Sequence, residues 1–198
     1  KLSYIVGRKT EPLDREHIIS ATIESIGESV VDGIGSPLFY YSLFGPSGAI
    51  AYRIINTLDS MIGYTDKYHY EIGWMAAKLD TISNYLPARL CGLLLVVSAK
   101  IVGADWKNSI LVMRMDHNNT PSRNGGYPMS ALAGALRVRL EKVGFYVLGA
   151  NIEPLSIEKC NNALRMVKLS VILFLVFISI PMVLLLSLIG WWDILYGF

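Results

Sequence analysis

The chain has 198 residues, of which 18 are basic and 16 acidic, for a net charge of +2. Only 17% of residues are charged and 53% are hydrophobic, with a mean hydropathy of +0.42; soluble domains carry about 25% charged residues, so the composition is that of a membrane protein. The basic residues form no stripe, which excludes nucleic acid as a supported partner.

The chain opens at Lys1, without a methionine, in a run that reads as the middle of a longer protein. One domain over residues 1–198 is expected, since no internal repeat or low-complexity tract divides it. Asp14 is a suitable N-cap for an amphipathic helix running to Val31. Its apolar stripe is Ile19, Ile23, Ile26 and Val30, and three acids, Glu24, Glu28 and Asp32, stand at i, i+4 and i+8 on another stripe. Like charges at that spacing repel, more so in a low dielectric. A cation, either a metal or a basic substrate group, would offset them; a solvated polar face is the plain alternative.

Gly33 to Tyr52 is uncharged but contains Pro37, Gly45, Pro46 and Gly48, so it reads as a broken or re-entrant helix pair. Asn56, Asp59 and Ser60 follow it, then a polar loop over Gly63–Tyr70. Helix resumes over Gly73–Tyr85 and again after Pro87, a proline suited to a first turn. Asp80 and Asn84 stand i, i+4 just before Pro87 and Arg89. Each polar set is either a helix cap or a membrane-depth site, where polar groups are costly. Leu86–Ala104 either crosses the membrane or packs inside a bundle.

Ser109–Met115 fits a short strand or a helix. Pro121–Pro128 reads as a turn-rich loop: Gly125 and Gly126 would aim backbone N–H groups inward, Ser122 and Asn124 would add hydrogen bonds, and Arg123 would supply a fork. Pro128 would start a helix running to about Lys142. Such a loop suits a phosphate or carboxylate; an ordinary helix-entry turn is the alternative, because neither a Walker A motif nor a GxGxxG is present. After a further loop to Pro154, a short helix leads into Leu169–Trp192, 24 residues without a formal charge, enough to cross about 30 Å of hydrocarbon. Trp191 and Trp192 suit an interfacial belt, and Pro181 is expected to free a carbonyl and kink the span. Arg165 and Lys168 place its amino end on the cytoplasmic side. Cys91 and Cys160 are isolated, and His17, His69 and His117 are dispersed, with no metal or redox spacing. The fold class is all-α, a polytopic membrane helix bundle with re-entrant or broken helices.

Several motifs then follow one another in a recognisable order. They are Glu24, Glu28, Asp32 and Gly33; Pro37 and Tyr40; Asn56, Asp59, Ser60, Gly63 and Tyr64; Gly73 and Trp74; Leu79 and Asp80; Asn84, Pro87 and Arg89; Ser122, Asn124, Gly126, Tyr127 and Pro128; and Ala133 to Leu136. From about Ile5 to Gly149 the chain resembles the CobD/CbiB family of cobalamin biosynthesis, the adenosylcobinamide-phosphate synthases. Ser29, Lys9, Thr81 and Arg123 depart from the family's usual residues, and its hydrophobic upstream portion is expected to precede Lys1.

The resemblance implies a multi-pass cell-membrane enzyme that amide-links (R)-1-aminopropan-2-ol, or its O-phosphate, to a propionate carboxyl of (adenosyl)cobyric acid. It also implies an ATP-dependent ligase with Mg²⁺ as cofactor and a cytoplasmic active site. On chemical grounds, Glu24, Glu28 and Asp32 are assigned to Mg²⁺ or the substrate ammonium, and Asp59, Asp80 and Glu28 to catalysis. Asn56, Asn84, Arg89, Ser122, Arg123, Asn124 and Gly126 are assigned to substrate binding. Partners are the corrinoid, the amino alcohol and membrane lipid, with the oligomeric state open. A transporter with an acid-lined path is the competing class; a CDP-alcohol phosphotransferase fits less well, because Asp32–Gly33 lacks the following residues and acid spacing of that class.

Overall fold

The computed structural model describes residues 14–63 and 70–197. The polar loop expected after Gly63, His69, and the family positions Ile5, Lys9 and Tyr64 lie outside the described residues. Helix α1 (Arg15–Val30) starts where the capping signal predicts, with the Asp14 side chain accepting from the His17 N–H. Its Ile19, Ile23 and Val30 are buried in the core.

At Val31–Gly35 the helix widens into a π-helical turn, where the Ser36 N–H bonds to the Val31 carbonyl, before α2 (Ser36–Ile62) continues from Pro37. The expected break in the apolar segment falls at Gly45, whose φ of 62° and ψ of −154° suit only glycine. Pro46 has no N–H to give, and the break leaves carbonyls of the first half of α2 without helical partners. The Trp191 indole donates to the Leu43 carbonyl, and the Tyr196 and Ser47 hydroxyls donate to the Phe44 carbonyl.

Helices α3 (Tyr70–Ser83) and α4 (Tyr85–Ile101) meet at Asn84 with a bend of 44° between Gly73–Ser83 and Tyr85–Ile101. Pro87 lies in the first turn of α4, as its position predicts. Leu95, Cys91, Ala88 and Ala99 bury one face of α4 against the core. The Ser109–Met115 ambiguity resolves as helix: α5 spans Trp106–Asp116, capped by Asp105.

Two expectations are corrected beyond this point. Helix α6 is Arg123–Leu136, capped by Ser122, so Gly125, Gly126 and Pro128 lie within it and the expected loop is not a loop. The helix also stops before Lys142: Arg137 takes the left-handed conformation (φ 59°, ψ 36°) at its carboxyl end, and strands β1 (Leu140–Lys142) and β2 (Tyr146–Leu148) form an antiparallel hairpin with Leu140 opposite Leu148. The signal was present in the alternation of buried Val138 and Leu140 with Arg139 and Glu141, which pair at 2.9 Å on the other face, a strand period. Gly144, with φ 79°, turns the hairpin.

Helix α7 (Ile157–Phe174), a second π-helical turn (Leu175–Ser179) and α8 (Ile180–Leu188) form one continuous 32-residue helix. Pro181 is absorbed by that π-helical turn. Among the described residues this is the one helix long and apolar enough to cross a membrane by itself, and the bent pair of α3 and α4 meets the same criterion jointly. The apolar run ends earlier than expected, at Gly190 (φ 68°), and Trp191 and Trp192 begin a short α9 (Trp191–Tyr196) folded onto the α2 break. Helix α6 is buried along nearly its whole length and packs against α1, α4, α5 and α7, while α2 packs against α3 and α8.

Gly45→Ala is expected to lower the thermal unfolding midpoint of the detergent-solubilised protein, at a cost of about 1–3 kcal/mol, because its Cβ would also meet the Tyr196 hydroxyl at 2.7 Å. Gly33→Ala, whose Cβ meets nothing within 4 Å, is the matched control and leaves the midpoint unchanged.

Candidate acidic site

The end of α1, the π-helical turn, the second half of α2 and the end of α3 bring Glu28, Asp32, Asp59 and Asp80 within electrostatic reach of one another. Asp80 is the best anchored. Its Oδ1 accepts from the Asn56 amide at 3.2 Å and its Oδ2 from the Asn84 amide at 3.0 Å. Asn84, only 2% exposed, is itself oriented by Ser36 and Tyr52, whose hydroxyls donate to its Oδ1 at 2.5 and 2.9 Å. Tyr52 stacks on Tyr40, and the Tyr40 hydroxyl donates to the Ser83 carbonyl.

A cation that the sequence reasoning missed completes this cluster. Arg53 Nη1 donates to the Asp32 carbonyl and to Asn56 Oδ1, each at 3.2 Å. Arg53 stands one turn before Asn56 on α2, and that i, i+3 spacing to a site residue was the available signal. A second favourable field comes from α6. Its amino end lies beside Glu28, since a Cβ built on Gly125 would be 3.8 Å from Glu28 Oε1, and the positive end of a helix dipole favours a carboxylate there. Asn124 locks α6 to α3 by donating to the Thr81 carbonyl at 2.8 Å.

These offsets are incomplete. Burial first, then the negative Asp80, Glu28 and Asp59, push the Asp32 carboxyl up to about 7 against the pull of Arg53. Glu28 is also raised, by its crowded surroundings first and by Glu24 and Asp80 next, with Lys142 opposing.

The other predicted residues stand elsewhere or serve packing. Glu24, one turn before Glu28 and close enough to raise its carboxyl, also serves packing: it is buried, its Oε1 accepts from the Ser20 hydroxyl at 2.8 Å and its Oε2 from the Tyr146 hydroxyl at 2.7 Å, which ties α1 to the hairpin. Arg89 stacks over Tyr85 and Tyr127 at 3.4 and 4.6 Å and donates to the Tyr85 carbonyl. The Ser122 hydroxyl accepts the Gly125 N–H as a helix cap, and Arg123 is exposed. Gly126 is a contact point, since a Cβ there would lie 2.0 Å from the His117 carbonyl. Among the described residues no three carboxylate, histidine or cysteine groups are close enough to cage a metal unaided. Oxygen donors at Glu28 and Asp32 fit a hard cation held through one or two carboxylates and completed by water or substrate oxygens.

Fold and site together define a helical protein with a strongly apolar carboxyl-terminal helix and an acidic, amide-rimmed site set between helix ends. The family model described as "CobD/Cbib protein" matches residues 1–190, and the chain belongs to that family. It is similar to a "Probable cobalamin biosynthesis protein CobD" of Methanothermobacter thermautotrophicus at 45% identity and to one of Methanocaldococcus jannaschii at 42%, each over 88% of this chain. A "Cobalamin biosynthesis protein CobD" of Leptospira interrogans is 40% identical over 89% of it. The chain spans 56–59% of the length of these relatives. No solved structure matches it.

Asp32→Asn is expected to raise the unfolding midpoint at pH 8 by at least about 2–4 °C, the shift that about 1 kcal/mol produces at this size. The folded Asp32 holds its proton up to about pH 7 whereas an unfolded one loses it near 3.8. Ionised Asp32 therefore destabilises increasingly as pH rises through that window. The gain from Asn should fade toward pH 4, which melting curves across pH would show.

Proposed function

We propose that this chain carries an active site of cobalamin biosynthesis at which the amine of (R)-1-aminopropan-2-ol, or of its O-phosphate, is joined by an amide bond to a propionate carboxyl of (adenosyl)cobyric acid. The observation that carries this reading is the convergence of Glu28, Asp32, Asp59 and Asp80 around Asn56, Asn84 and Arg53, in a family whose relatives are named for that pathway. An amine substrate enters as an ammonium ion, and an acid cluster with unbalanced negative charge is what holds it. Asp80 is committed to two amide donors and stays as a fixed counter-charge. Asp59, at which no such donor is aimed among the described residues, is the group that takes the ammonium proton so that the neutral amine can attack. Bound ATP and its Mg²⁺ would supply the activation that a free carboxylate needs, with Glu28 and Asp32 the residues suited to hold the metal. Arg53 faces the oxygens of the carboxylate or phosphate partner.

The transporter reading finds no support in the family or in its named relatives. Membranes containing the protein, incubated with cobyric acid, ATP, Mg²⁺ and either amine, are expected to yield the amide product by mass spectrometry. Asp59→Asn should slow its formation by about 10²-fold or more, and Glu28→Gln should slow it and raise the Mg²⁺ requirement. Full activity in both variants would overturn the assignment.

The same reading makes the protein a multi-pass membrane enzyme with the site facing the cytoplasm, on the side of Arg165 and Lys168. Ser122 is exposed beside the site. In a Cys160→Ser background, Ser122→Cys is therefore expected to resist a membrane-impermeant thiol reagent in intact cells and to react after permeabilisation. Labelling from outside would remove ATP chemistry from this face.

A further inference from the structure

A cavity of about 440 Å³ lies away from the acidic site, between the α4–α5 turn, the carboxyl end of α6 and one face of α7. That volume suits a small polar ligand or a lipid headgroup. Its floor is Gly103, Ala104 and Ala135, and its walls carry Arg137, Lys159 and Arg165 against Asp105 and Glu153.

The ion pairs leave a surplus. Arg137 Nη1 pairs with Asp105 at 3.4 Å and Arg137 Nε with Glu153 at 3.5 Å, and Lys159 pairs with Glu153 while also donating to the Leu136 carbonyl. Both acids are thus consumed. Arg165 lines the same cavity with no ion-pair partner among the described residues, one turn of α7 beyond Asn162, whose amide also lines it. Arg137 adds an independent sign. It sits in the left-handed conformation, which strains a non-glycine residue and would cost glycine little, yet a guanidinium is what occupies the cavity wall. The position is also telling: Arg165 precedes the charge-free run that begins at Leu169, so the mouth opens where α7 passes from polar to strongly apolar.

We propose that this cavity is a binding site for a phosphate ester, held by the Arg165 guanidinium and the Asn162 amide against a wall stiffened by Arg137. Two sources share that chemistry, the headgroup of a membrane phospholipid and a soluble phosphate monoester. The site is separate from the acidic cluster, so it stands or falls independently of the amide-forming reaction.

The test uses the purified chain in detergent. Native mass spectrometry compares retention of phosphatidylglycerol with that of diacylglycerol of the same acyl chains, and calorimetry titrates glycerol 1-phosphate. Preferential retention of phosphatidylglycerol assigns a lipid site, and saturable glycerol phosphate binding a soluble one. In either case Arg165→Gln should weaken binding about tenfold or more, as loss of a charge-assisted hydrogen bond does. Arg165→Lys should restore part of it, and Glu28→Gln should leave it unchanged. Equal retention of the two lipids with no phosphate binding, or full binding by an Arg165→Gln protein with an unaltered melting curve, overturns the proposal.

Discussion

The carboxylate of Asp80 is the constraint on which the arrangement around it depends. It receives one amide from α2 through Asn56 and one from the α3–α4 junction through Asn84, so a single anion fixes where three helices meet. Asp80 is half-buried, and a charge drawn out of water is costly unless hydrogen-bonded or paired. The amides in turn need partners for their own oxygens, and Ser36, Tyr52 and Arg53 provide them. The network sits at the 44° bend around Asn84, where the carboxylate of Asp80 and the hydroxyls of Ser36 and Tyr52 all bond to the Asn84 amide. Among the described residues Asp32, Glu28 and Asp59 have no equivalent set of donors, and on the proposed reading their negative charge serves a ligand.

That division between a satisfied anion and unsatisfied ones separates structure from function within one cluster. It also explains why the acid stripe read from the sequence was half informative. Glu28, Asp32, Asp59, Asp80, Asn56 and Asn84 do gather, and the helix caps at Asp14 and Pro87 were legible because capping and first-turn chemistry are local. Glu24 was not legible. Its partner Tyr146 lies 122 residues away on a hairpin, and no spacing within α1 can reveal that a distant hydroxyl holds this acid.

The segment from Ser122 to Pro128 shows the opposite failure, in which local signals were strong and misleading. Two adjacent glycines and a proline describe a turn by propensity, and propensity is a weak prior that packing overrides. Here Ser122 caps the helix, Asn124 bonds to α3, and Gly126 is glycine because the His117 carbonyl occupies the space of a side chain. The segment still borders the site, since the amino end of α6 approaches Glu28. It contributes a helix dipole where a phosphate-cradling loop had been expected.

Prolines in the apolar runs give the last connection between sequence and site. A proline n lacks an N–H and crowds the carbonyl of residue n−4, so a regular helix must either bend or widen there. Pro37 and Pro181 each follow, by two residues, the end of a π-helical turn, Val31–Gly35 and Leu175–Ser179; the wider turn takes up the misfit and keeps the helix continuous. Pro46 follows Gly45 and takes the other route, a full break whose carbonyls are capped by Trp191 and Tyr196. The first π-helical turn has a consequence for chemistry. Asp32 lies within it, and the Asp32 carbonyl there accepts from Arg53. Such turns are frequent at functional sites because an inserted residue re-aims side chains without ending a helix, and here the turn carries Asp32, whose carboxyl is raised by burial and by the neighbouring Asp80.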